Sequence, residues 1–134
     1  MLRANLYYMK VVDRVLYVKF SGIWTKSNVK AIFADCQRQV STIKHQPWAA
    51  YIDIRDWIMP SMEAMDDLQQ IYDWCLANNQ THEATVCRFD MQKNIIIDVS
   101  NYAADFQLYT QEPSEACHWL EQKGFTISLP DEFK

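Results

Sequence analysis

The 134-residue chain contains only two glycines, Gly22 and Gly124. At the usual share of about 7%, roughly nine would be expected. Two isolated glycines can build neither a G-x-G-x-x-G turn nor a G-x-x-x-x-G-K-[ST] loop, so both familiar phosphate cradles are excluded. Collagen-like and Gly-rich low-complexity chains are excluded as well. The four cysteines, Cys36, Cys75, Cys87 and Cys117, form no C-x-x-C pair. No Cys/His set has zinc-ligand spacing, so no metal or other cofactor is expected. The net charge is −4 and no basic run occurs. Binding to a phosphate backbone needs a concentrated Lys/Arg surface, so nucleic acid is not an expected partner. No apolar stretch approaches the about 20 residues that span a bilayer. Met1 to Lys10 lacks the apolar segment of a secretory leader. Together these absences point to a cytoplasmic protein with reduced core thiols.

What is present is globular. The composition is 49% hydrophobic, 13% aromatic and 22% charged, too apolar for a disordered chain. The length suits one domain over 1–134, large enough to bury well over half of its unfolded surface. Leu6 to Val12 and Val15 to Trp24 flank Asp13-Arg14 and predict a hairpin. Leu16, Val18 and Phe20 alternate with Tyr17, Lys19 and Ser21, giving a strand with two distinct faces. Thr25 or Ser27 offers a cap for a helix whose apolar stripe runs Val29, Ile32, Phe33, Cys36, Val40 and Ile43. Pro47 closes it.

Trp48 to Ile54 predicts a strand buried on both sides, followed by a loop over Arg55 to Pro60. Ser61 is expected to cap a second helix with Met65, Leu68, Tyr72 and Cys75 inward. Glu83 to Phe89 predicts a strand. Asp90 is expected to cap a helix carrying Ile95, Val99, Tyr102 and Ala103. A strand over Phe106 to Tyr109 and a helix from Pro113 to the stop at Gly124 follow, with a short last strand at Phe125 to Ile127 as an option. Helices alternating with strands predict an α/β fold whose later strands are parallel.

The residues that could carry chemistry are few. Cys117 and His118 are helix neighbours and point about 100° apart, so they do not form a nucleophile–base pair. Asp66 and Asp67 read as a solvated helix face. Asp53 lies in an apolar strand, where a carboxylate needs a hydrogen bond or a cation. Arg55 and Arg88 are the candidates, and a catalytic role is the competing reading. The segment Asp56-Trp57-Ile58-Met59-Pro60 follows a central strand, where α/β sheets present ligand sites. It reads either as a plug folded back over the core or as an apolar contact surface shared with Met62 and Met65.

Several stretches resemble the STAS domain, in particular its SpoIIAA-like branch. Tyr17 to Thr25 resembles the family's second strand with its Ser-Gly corner. Ala50-Tyr-Ile-Asp-Ile54 is similar to its apolar-Asp-apolar third strand. Glu115-Ala-Cys-His-Trp-Leu120 is similar to a stretch of its last helix. The resemblance implies an α/β domain: a mixed sheet with an N-terminal hairpin and about four helices, packed mainly on one face. It also implies a role in binding other proteins. In the anti-sigma factor antagonists of the family, a serine opening the helix after the third strand is phosphorylated. A one-residue gap would put Ser61 there, without the aspartate that usually precedes it. The branch is further similar in fold to lipid-binding Sec14-type domains.

The expected function is a non-enzymatic regulatory or interaction module. A protein partner would dock on Asp53, Trp57, Ile58, Met59, Met62 and Met65. The alternative is a carrier or sensor of a small apolar, lipid-like ligand held beneath the helices. A homodimer through an edge strand bearing Tyr7 and Tyr8 is a further option.

Overall fold

The computed structural model describes residues 6–100 and 104–133. One sheet holds five strands in the order β1-β2-β3-β4-β5. β1 (Tyr7–Val12) and β2 (Val15–Trp24) pair antiparallel, from Tyr7 opposite Phe20 to Val12 opposite Val15. Their two-residue turn is possible because Asp13 adopts a positive φ of 54°, which short polar side chains tolerate. β3 (Trp48–Pro60), β4 (Gln80–Val86) and β5 (Gln107–Thr110) join in parallel. The crossovers are α1 (Lys26–Val40), α2 (Met65–Ala77) and α3 (Asp90–Val99), and α4 (Pro113–Gln122) follows β5. This is the mixed α/β sheet with an opening hairpin that the pattern predicts.

The sheet is buried on both faces. Leu16, Val18 and Ile52 share one core with the inner stripes of α1, α2 and α3. Val15, Tyr17 and Tyr51 turn to the other face, under α4 and the C-terminal residues Phe125 and Phe133. Three helices therefore cover one face, and one helix with the tail covers the other. The capping residue of α1 is Thr25, whose Oγ1 accepts from the Asn28 backbone N–H at 3.3 Å. Pro113 opens α4, and Gly124 takes φ of 96° just past its end. Both match the preference of proline for helix starts and glycine for left-handed stops.

Several expectations are corrected. Residues Arg55 to Pro60 are not a loop but the continuation of β3, paired with β2 as far as Trp24 opposite Pro60. The pairing is irregular. Two steps of β2, Lys19 to Ser21, face three steps of β3, Asp53 to Asp56, and another extra β3 residue falls before Met59. An extra residue reverses which side chains face which side. Ile52 and Ile54 point into the helical core, and after the first bulge it is Trp57 that joins them. Ser61 does not cap a long helix. It precedes a single 3-10 turn, Met62–Ala64, and its side chain makes no capping bond. Phe125 to Ile127 form no strand. β4 begins at Gln80 and ends at Val86, earlier than the apolar run suggested. Asp90 lies in the first turn of α3, not at its cap. Tyr102 and Ala103 lie outside the described residues.

The re-aimed Trp57 completes an aromatic cluster. Its ring centroid lies 5.1 Å from that of Phe20 and 5.4 Å from that of Trp24, both edge-on. Trp24 donates from Nε1 to the Leu6 carbonyl at 3.0 Å. Gly22, opposite Trp57 in the ladder, has φ of 70°. A Cβ there would come 3.1 Å from the Leu6 side chain. Trp57→Ala should therefore lower unfolding stability by about 3–5 kcal/mol in urea titration, whereas Met62→Ala should change it by about 0.5 kcal/mol or less. Equal effects would show that Trp57 is not a core residue.

Candidate functional site

The carboxyl ends of β2, β3 and β4 form the edge where parallel sheets carry their sites. Large apolar side chains stand in solvent there. Ile58 is 60% exposed, Met62 92%, Phe89 60% and Met91 66%. Ile23 and Met59, paired in register, are exposed beside them. Ile58, Phe89 and Met91 line one open cavity of about 260 Å³, with Arg55 and Asp56 at its polar side.

The six residues expected to form one binding surface are divided by the structure. Ile58, Met59 and Met62 are exposed. Trp57 is 1% exposed and belongs to the core. Met65 is partly buried and packs against the helical core. Asp53 is buried, and its carboxylate is fully engaged by Arg55. Oδ1 accepts from the Arg55 backbone N–H at 3.0 Å and from Nε at 3.1 Å, while Oδ2 accepts from Nη2 at 2.8 Å. This two-pronged pairing holds the Arg55 guanidinium above its usual range, chiefly through the hydrogen bond to Asp53. Of the two arginines suggested as its cation, Arg55 is the one; Arg88 lies 3.5 Å from Asp56 instead.

Gln92, which sequence reasoning passed over, anchors this edge. Its Oε1 accepts from the backbone N–H of Arg88 at 2.7 Å and of Phe89 at 3.0 Å. Its Nε2 donates to the carbonyls of Ile54 and Trp57, each at 2.8 Å. One buried amide thus ties the bulged end of β3 to the start of α3. The sequence carries no signal for it, because the residue at the helix cap is Phe89 and a capping box is recognised by Ser, Thr, Asp or Asn there. Phe89 and Met91 were also missed as surface residues, since a Phe at a strand end reads as core.

A second feature lies beneath α1 and α2. A cavity of about 40 Å³ separates these helices from the sheet, walled by Ala50, Ile52, Leu68, Cys36 and Cys75 and ending on Gln80 and Glu83. Cys36 Sγ and Cys75 Sγ are 3.9 Å apart as free thiols. That contact, together with burial, holds the Cys75 thiol well above its ordinary value. Glu83 is 2% exposed. Burial raises its carboxyl to about 7, and hydrogen bonds from Gln80, Gln107 and Thr85 oppose the rise. Among the described residues, no group of three or more His, Cys, Asp or Glu could hold a metal ion, and no helix is long and apolar enough to cross a membrane.

A five-stranded mixed sheet with this order, three helices on one face and one on the other is the SpoIIAA-like fold. Among solved structures, the chain is similar to an uncharacterised DUF3478-family protein with a SpoIIAA-like fold from Shewanella loihica PV-4. The two are 16% identical over 90% of this chain and 99% of that one, with a TM-score of 0.68. It is also similar to the anti-sigma factor antagonist SpoIIAA in its unphosphorylated form. That match has 10% identity over 89% of this chain and 99% of that one, with a TM-score of 0.56. No family model matches the sequence, and no curated protein matches it.

Gln92→Ala should destabilise the chain by about 3 kcal/mol in chemical denaturation, because each orphaned buried backbone group costs about 1–3 kcal/mol. A variant as stable as the parent would remove Gln92 from this role. Glu83 sets a pH dependence. Its folded value of about 7 lies above the ordinary 4.5, so the folded chain binds more protons between those values. Stability should therefore fall as pH rises from about 4.5 to about 7, by about 3 kcal/mol in all, and then level off. Glu83→Gln should flatten that slope in urea titrations across the range, and an unchanged slope would assign the effect elsewhere.

Proposed function

We propose that this domain is a non-enzymatic regulatory or protein-interaction module that docks a protein partner on the apolar carboxyl edge of its sheet. The observation that carries the reading is the exposure of Ile58, Met59, Met62, Phe89 and Met91 along that one edge. Apolar side chains scattered singly need no explanation, but five on one edge, with Ile58, Phe89 and Met91 around an open cavity, mark a contact surface. Methionine and phenylalanine are also enriched at protein interfaces. SpoIIAA, the fold neighbour named as an anti-sigma factor antagonist, is by that name a protein that acts on another regulator. Docking here involves Ile58, Met59 and Met62 directly, with Trp57 and Met65 supporting them from beneath. Asp53 contributes by holding Arg55 at the rim.

The chemistry around Ser61 favours docking over phosphorylation. A phosphate on Ser61 would precede two short first turns that carry Glu63, Asp66 and Asp67, a like-charge setting. Lys26, which reaches this helix, is already engaged by Asp67 at 2.8 Å. A homodimer along the outer backbone of β1 would leave Tyr7 and Tyr8 uninvolved. Tyr7 donates to Asp35 at 2.9 Å and Tyr8 packs edge-on against Phe133. A lipid-like ligand beneath α1 and α2 meets a cavity of about 40 Å³, room for about three water molecules. Placement in the cytoplasm belongs to this proposal.

A photo-reactive residue at position 62 should trap a defined protein in cells, and the same residue at Gln122, on α4, should not. Ile58→Asp should cut the yield at least about tenfold while leaving the unfolding midpoint unchanged, because a charge in an apolar interface costs more than 1.4 kcal/mol. The same product from both positions, or a yield indifferent to Ile58→Asp, would discard this edge as the docking surface.

A further inference from the structure

The void under α1 and α2 has two unlike ends. Along most of its length the walls are hydrocarbon and thiol, from Ala50, Ile52, Leu68, Cys36 and Cys75. At the other end stands the carboxyl of Glu83, 2% exposed, beside the Gln80 amide. Water suits only the second end, since an ordered water needs two to four polar partners. The carboxyl itself is under-served. Gln80 Nε2 and Gln107 Nε2 approach it at 3.4 Å and Thr85 Oγ1 at 3.5 Å. All three distances are at the outer limit for a hydrogen bond, and a carboxylate offers about four acceptor sites. The titratable groups facing it are Tyr72 and Cys75 of α2 and Tyr109 of β5. None of these is a cation, and among the described residues no cation is paired with the Glu83 carboxyl. A buried carboxylate without a cation is normally neutralised by a partner or by a proton.

We propose that this cavity binds a short-chain primary amine, with its ammonium group on the Glu83 carboxylate and its hydrocarbon tail against Ala50, Ile52 and Leu68. The ammonium supplies the three donors and the positive charge that the carboxyl lacks. The tail occupies the end where water finds no partners. A volume of about 40 Å³ holds the bulk of about three waters, which the ammonium group and a tail of about two carbons fill. A carboxylic acid would oppose Glu83 with a like charge. An alcohol would leave the charge unpaired. The site is separate from the apolar carboxyl edge, and its test is independent of any partner docked there.

Binding carries a proton balance. The ammonium ion enters with its charge, the Glu83 carboxyl gives up its proton to solvent, and the ion pair forms. With that carboxyl titrating at about 7, the affinity should be about tenfold weaker at pH 6 than at pH 8. The experiment is an NMR titration of the whole chain with ethylamine at both pH values, following the methyl groups of Ile52 and Leu68. Saturable shifts at these methyls, tighter at pH 8, are expected. They should be lost in Glu83→Gln and in Ala50→Val, which fills the cavity without touching the carboxyl. Acetate should produce no such shifts. Absence of saturable shifts at pH 8 would overturn the proposal. So would shifts centred on Ile58 and Met59, equal binding of acetate or ethanol, or retention of binding by Ala50→Val. Should Glu83→Gln fail to fold, the pH dependence of the parent and the Ala50→Val variant decide the matter alone.

Discussion

The carboxyl edge of the sheet depends on one side-chain amide. β3 runs on past the end of β4, whose pairing stops at Asp53 opposite Val86, and a buried backbone carbonyl without a partner is costly. Gln92 donates to the carbonyls of Ile54 and Trp57 and accepts from the Arg88 and Phe89 N–H groups that lead into α3. The bulges turn Trp57 into the core and leave Ile58 and Met59 outside. The edge is apolar and exposed because the residues beneath it are held by a polar device that is itself buried.

Charge is handled differently at Asp53 and Glu83, two of the three buried acidic residues among those described. Asp53 has a cation two residues away, and Arg55 closes on it through both oxygens. Glu83 has neutral amides and a hydroxyl at longer range, so its carboxyl keeps its proton to about neutral pH. Both residues sit in central strands and both are almost wholly buried. The difference is the neighbour: an arginine can reach back along its own strand to Asp53, and among the described residues no cationic group is paired with Glu83. The Glu83 position consequently couples protonation to stability between about pH 4.5 and 7.

Much of the architecture was legible before any coordinates. The alternation of Leu16, Val18 and Phe20, Pro113 at a helix start and Gly124 at its stop each obey a local rule, and each holds; the helical stripe of α1 holds as far as Val40, where the helix ends and leaves Ile43 in the turn beyond. The cation for Asp53 was legible only as a choice between Arg55 and Arg88; the structure selects Arg55, which lies two residues on and so on one face of the strand. The boundaries of the candidate surface were not. A row of Trp, Ile and Met beside a proline reads equally as plug or patch, and the structure makes it both: Trp57 is plug, Ile58 and Met59 are patch. Phe89 and Met91 joined that patch from a different part of the chain, a juxtaposition made by parallel pairing of β3 and β4. Glu83 carried the same signal as Asp53, an acid within a strand, but its isolation from cations is a matter of what packs around it.

By itself the sequence determined the alternation of strands and helices, the opening hairpin, the two glycine corners and the exclusion of Gly-rich phosphate chemistry. These follow from periodicity and from backbone freedom, which act over a few residues. Tertiary structure alone decided which way Trp57 points, because a bulge is defined only against the neighbouring strand. It alone decided that exposed side chains from β3 and from the start of α3 share one rim. It alone decided that a cavity ends on an uncompensated carboxyl. Those features depend on register, packing and desolvation between segments distant in sequence, quantities that no local pattern of residues contains.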